Sequence, residues 1–97
     1  MTREELLQSN EYWITQIQMD IAAILNKYMV ANDISVNKLS HLSGYKKGFI
    51  KRTIQGDFDG DIESLVALAI IAGYVPIVKF EKITDVIEND KKGAGKV

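Results

Sequence analysis

The stretch ISVNKLSHLSGYKKGFIKRTIQG, residues 34–56, decides how the chain is read, because it holds two short helical patterns separated by a single glycine. Ser35 has the chemistry of an N-cap. Leu39 and Leu42 follow it at helical spacing as far as Gly44, the residue type best able to adopt the left-handed conformation that stops a helix. A second apolar face begins at once with Tyr45, Phe49, Ile50, Thr53 and Ile54, and Gly56 ends it. The outer side of this second helix carries Lys46, Lys47, Gly48, Lys51 and Arg52.

Upstream, Ile14, Ile17, Ile21, Ile24, Leu25 and Tyr28 recur at three- and four-residue spacing and predict a helix from about Glu11 to Val30, closed by Asn32-Asp33. Thr2 and Glu5 have capping-box spacing ahead of Leu6 and Leu7, which marks a shorter helix at the start. Downstream, the loop DFDGD leads to a helix over Ile62–Ala72 with Ile62, Leu65, Val66 and Ala69 as its inner face and Gly73 as its stop. Beyond it the residues turn β-branched and aromatic: Tyr74, Val75, Ile77, Val78 and Phe80, with Pro76 limiting where ladder bonds can form. This predicts a short edge strand over about 76–80, whose backbone needs a partner strand from another protomer or from a small hairpin. The acidic segment from Glu81 to Asp90 reads as partly flexible, and the tail KKGAGKV, residues 91–97, as disordered.

Ninety-seven residues suffice for one core, so a single domain is expected over residues 1–90, with its centre at about 20–73. The absence of cysteine excludes disulfide staples, thiolate metal sites and cysteine nucleophiles. The longest apolar stretch, 65–78, falls short of the roughly 20 residues of a membrane span. The N-terminus lacks the basic start and apolar run of a signal peptide, so a cytoplasmic location is expected. The net charge of −1 conceals an uneven distribution. Residues 1–32 carry −2 and residues 57–97 carry −3, whereas residues 33–56 carry +4, with Lys38, Lys46, Lys47, Lys51 and Arg52 against Asp33 alone. Charge by itself leaves two readings of that block, a solvated lysine-rich face or a local footprint for a polyanion.

Residues 34–56 resemble the helix-turn-helix of the Cro/phage-repressor group, the XRE family. Leu39, Gly44, Tyr45, Ile50, Ile54 and Gly56 fall without gaps on its packing leucine, turn glycine, post-turn apolar residue, paired recognition-helix apolars and terminal glycine. GDFDGDIESLVALAIIAG is similar to the family's next loop and helix, so the resemblance covers about Ile21 to Gly73. It implies a mostly α, five-helix, lambda-repressor-like domain, here with the short C-terminal β-strand added. It also implies a recognition helix over 46–55 that enters the major groove of double-stranded DNA as part of a homodimer. By the family's pattern Lys46, Lys47 and Lys51 face base edges or nearby phosphates, and Arg52 lies on the flank toward the backbone. Lys38, near the start of the preceding helix, is either a phosphate contact or a solvated lysine. Gly48 costs about 1 kcal/mol inside a helix, which close approach of backbone to DNA or a crowded contact with the preceding helix would explain.

Three positions depart from the family. Val36 stands where many members have a phosphate-clamping glutamine, Ser40 replaces a small alanine, and Lys46 replaces the serine or threonine that caps the recognition helix. A lysine at that cap is unfavourable beside the positive end of the helix dipole, and bound phosphate would compensate it. The implied function is sequence-specific transcriptional regulation, as a repressor. The alternative is an antitoxin or other interaction module of a phage or mobile element, which binds a partner protein such as a toxin through its C-terminal segment.

Other features point to simpler roles. Asp57, Asp59 and Asp61 open like a calcium loop, but Ile62 and Leu68 stand where glycine and glutamate are needed, so Asp61 is read as a helix cap. His41 is the only histidine, which leaves no triad or two-histidine metal site within the chain. Tyr12 and Trp13 suit either core cover or a dimer contact. No phosphate-cradling glycine loop is present, and neither an enzyme nor a bound cofactor is expected.

Overall fold

A computed structural model describes residues 1–94, and these form six helices: α1 Arg3–Leu7, α2 Asn10–Asn32, α3 Val36–Ser43, α4 Lys47–Ile54, α5 Ile62–Ile71 and α6 Ile83–Ala94. The chain is mostly helical, as expected, with one helix more than the five anticipated. It divides into two compact units: Ile14–Pro76, and Met1–Trp13 together with the chain from Ile77 onward. The helix α2 runs through both. Among the described residues no helix is long and apolar enough to cross a membrane.

Within Ile14–Pro76, α2, α3, α4 and α5 each place one fully buried aliphatic side chain in a shared core: Leu25, Leu39, Ile50 and Leu68. Each contributes about 1.5–3 kcal/mol by leaving water. The helix ends lie where local chemistry predicts them. Asp33 takes a φ of 50° just after α2, the Ser35 hydroxyl accepts from the Lys38 amide at 3.1 Å, and Gly44 adopts a φ of 76° after α3. The Asp61 carboxylate caps α5 by accepting from the Ser64 amide at 2.8 Å. That bond, with the Ser64 hydroxyl contributing second, holds the Asp61 carboxyl below its ordinary value.

The inner face of α5 holds Ala69, buried, and Leu65, packed against the core, as expected, but it also takes in the buried Ser64 and Leu68, whereas Ile62 is 79 % exposed. Asp61 sets the first turn so that Ile62 projects outward, and Ser64 is tolerated inside because its hydroxyl donates to the Asp61 carbonyl at 2.9 Å. Ile14 and Ile17 are likewise half-exposed, and with Phe58, Ile62 and Leu65 they line an open apolar cleft of about 360 Å³.

In the other unit α1 packs against α6, and Arg3 Nε donates to Asp90 Oδ2 at 2.8 Å. Thr2 caps α1 through the amide of Glu5 at 3.1 Å, as the capping box predicts. Trp13 is neither core nor fully exposed: its indole donates to the Leu7 carbonyl at 2.8 Å and its ring meets Tyr12 edge-on at 4.9 Å.

Three C-terminal expectations are corrected. Residues 74–82 form neither helix nor strand, because among the described residues there is no second strand with which 76–80 could build a ladder. The segment expected to be partly flexible is helical from Ile83, with Ile83, Val86 and Ile87 at i, i+3, i+4 spacing. The helix continues through residues 91–94 of the tail expected to be disordered; residues 95–97 lie outside the described residues.

Candidate nucleic-acid interface

The turn between α3 and α4 is stitched by side chains. Ser40 Oγ donates to the Tyr45 carbonyl at 2.5 Å, while Ser43 Oγ accepts from the Tyr45 amide at 3.2 Å and donates to the Ser40 carbonyl at 3.3 Å. Ser40 therefore ties α3 to the residue that enters α4. The Tyr45 ring lies 5.4 Å from that of Phe49, which lies 5.7 Å from that of Phe58. At the far end of α4, Asn26 Nδ2 on α2 donates to the Ile54 carbonyl at 2.8 Å. The helix is thus fixed at both ends by neutral hydrogen bonds.

Its inward side is Phe49, Ile50, Thr53 and Ile54, with Ile50 and Thr53 fully buried. The Thr53 hydroxyl is satisfied by donating to the Phe49 carbonyl at 2.9 Å. At 3.6 residues per turn, Lys47, Lys51, Gly48 and Arg52 then occupy one contiguous arc of about 140° on the opposite side. All four are exposed. The cap residue Lys46 is exposed too and supplies no side-chain hydrogen bond, in contrast to Ser35 of α3 and Asp61 of α5. The first turn of α4 holds no acid either, so the positive end of its dipole lies among cations without an intrachain counter-charge at the cap.

Among the described residues no ion pair involves Lys46, Lys47 or Lys51; Arg52 Nη2 approaches Asp59 Oδ1 at 3.5 Å, with both side chains about half exposed. Such an exposed pair contributes about 0–1 kcal/mol and is readily exchanged for another anion. Gly48 is not crowded by α3: a Cβ there would meet only Arg52 Nη1, at 3.8 Å, an ordinary contact. Of the predicted residues, Lys47, Gly48, Lys51 and Arg52 come together on one face, with Lys46 at its N-terminal edge. Lys38 stands apart, exposed on the first turn of α3. Val36 packs against the core. His41 is exposed on α3.

Three positioning residues escape sequence reasoning. Asn26 is one. Gln18 Nε2 donates to the Phe58 carbonyl at 2.8 Å and so fixes the loop after α4. At Gly60 a Cβ would lie 2.8 Å from both Phe49 Cζ and Phe58 Cε2 and would collide with Ser64 Oγ. The glycine in DFDGD was a visible loop signal, but nothing local shows that two aromatic rings close over it. No family model matches the chain, and no curated protein or solved structure matches it.

Proposed function

We propose that the chain is a sequence-specific DNA-binding regulator, a repressor of the Cro/phage-repressor kind, in which α3 and α4 act as a lambda-repressor-like helix-turn-helix. The observation that carries this reading is the outer face of α4, where Lys47, Gly48, Lys51 and Arg52 form one exposed arc on a helix whose opposite side is buried. Eight residues make a helix about 12 Å long, which suits a major groove about 12 Å wide. Lys47 and Lys51 reach base edges or phosphates. Gly48 lets the backbone approach closely, and Arg52 exchanges Asp59 for a phosphate. Lys46 and the uncapped first turn receive a phosphate at the helix N-terminus, which supplies the missing counter-charge. Lys38 adds a flanking phosphate contact. A homodimer places two such helices about one helical turn, roughly 34 Å, apart on a palindromic site.

Selection from a random duplex pool tests this reading, with the wild type beside Lys47→Ala/Lys51→Ala. Enrichment of a repeated half-site by the wild type, lost in the double variant, is the expected result. Absence of any enriched half-site, or equal enrichment by both proteins, overturns it.

A further inference from the structure

The apolar cleft between α2 and the start of α5 lies wholly within the unit Ile14–Pro76. Its volume of about 360 Å³ falls in the range of small-molecule sites, roughly 300–1,000 Å³. Ile14 and Ile17 of α2 form its walls with Phe58, Ile62 and Leu65. Ile14, Ile17 and Ile62 are all exposed, so three large apolar side chains meet water at one place. The walls are preformed. Gln18 Nε2 holds the Phe58 carbonyl at 2.8 Å, the Phe58 ring rests 5.7 Å from that of Phe49, and the Asp61 cap sets the first turn of α5. A ligand that enters such a cleft does not first have to order a loop.

Charge selects the occupant. Asp59 and Asp61 both line the cleft, and among the described residues no lysine or arginine does. Asp57 and Glu63, also exposed, add to the negative field on either side. Arg52 reaches Asp59 from α4 at 3.5 Å, an exposed contact that another cation can replace. A neutral apolar molecule would leave both carboxylates unused, and an anion would be repelled by them.

We propose that the cleft binds a small organic cation, an ammonium group carried on an apolar chain or ring. The apolar body leaves water against Ile14, Ile17, Ile62 and Leu65, while the ammonium donates charge-assisted hydrogen bonds to the Asp59 and Asp61 carboxylates. The walls come from two short stretches, 14–18 and 58–65, and hold one chain or ring rather than the length of a peptide. Because Asp59 is also the partner of Arg52, the bound ammonium competes with that guanidinium. Whatever draws Arg52 away from Asp59 therefore strengthens ammonium binding, and the reverse holds equally.

The site needs neither DNA nor a dimer, and its test contains no DNA. Hexylammonium chloride is titrated into the full chain and followed through the NMR methyl signals of Ile14, Ile17, Ile62 and Leu65. Saturable shifts at these methyls in the millimolar range are expected, with hexanol binding about tenfold more weakly and with hexanoate and ethylammonium failing to saturate. Ile62→Ser should weaken hexylammonium and hexanol alike, whereas Asp59→Asn should remove most of the preference for hexylammonium over hexanol. Arg52→Gln should tighten hexylammonium about threefold by freeing Asp59. All three side chains are exposed, so the variants should keep the urea midpoint of the wild type. The proposal is overturned if no saturable shift occurs at these methyls, or if hexanol or hexanoate binds as tightly as hexylammonium. It is equally overturned if Asp59→Asn and Arg52→Gln both bind hexylammonium as the wild type does.

Discussion

Asn26 Nδ2 stands 2.8 Å from the carbonyl oxygen of Ile54, the last residue of α4, and 2.8 Å from that of Ala22 one turn back on its own helix. A single amide group thus fixes the C-terminal end of α4 to α2, while Ser40 fixes the turn at its other end. Asn26→Ala should lower stability by about 0.5–1.5 kcal/mol in urea denaturation and weaken the proposed DNA binding, because α4 is then held at one end. Unchanged stability and unchanged binding would show that the bond does not position the helix.

Two glycines that look alike in sequence should respond in opposite ways. Gly60→Ala drives a methyl group into Phe49, Phe58 and Ser64, and overpacking of this kind costs about 1–3 kcal/mol. Gly48→Ala meets only ordinary contact and should stabilise α4 by up to about 1 kcal/mol through helix propensity. The same methyl lies on the proposed DNA face and should reduce affinity. Thermal unfolding and duplex binding of both variants check this; a Gly48→Ala protein that binds DNA as the wild type does removes the close-approach role.

Lys46→Ser supplies the cap that α4 lacks and should stabilise the free protein by about 1 kcal/mol. Binding should become weaker and less dependent on salt, since the proposed phosphate contact is lost. A variant both more stable and tighter-binding would remove Lys46 from the interface.

Asp61 introduces a pH dependence whose sign is fixed. Its carboxyl is held below the ordinary value of 3.8 by the Ser64 amide, so in acid the unfolded chain takes up the proton first. The stabilisation is complete above pH 3.8 and is lost as the pH falls below it through the native value. Asp61→Asn keeps a capping oxygen but does not titrate. The difference in urea midpoint between wild type and variant should therefore shrink as the pH is lowered from about 6 to about 2. A difference constant over that range would assign the cap's effect to geometry alone.

What the sequence makes legible here is local chemistry. Ser35, Gly44, Gly56 and Asp61 mark helix ends because their capping and backbone preferences act within a few residues. The basic arc of α4 follows from the 3.6-residue period for the same reason. Contacts made across the fold are not legible: Asn26 with Ile54, Gln18 with Phe58 and Arg52 with Asp59 join residues whose meeting depends on how helices pack. Residues 76–80 show the limit of β-propensity, which says that Val, Ile and Phe suit a pleated surface but not that a neighbouring strand exists. In α6, three apolar residues among acids and a glycine make a weak local signal; packing against α1 supplies the stability that propensity lacks.

If the outer face of α4 holds DNA, as proposed, its cations must set how steeply affinity falls with salt. Affinity for the selected duplex is measured from about 50 to 200 mM salt for the wild type and for Lys47→Ala/Lys51→Ala. If a dimer neutralises about eight phosphates, the log-log slope should lie near −7, and removal of four cations per dimer should bring it to about −4 with weaker binding throughout. Equal slopes and equal affinities for the two proteins would contradict the claim.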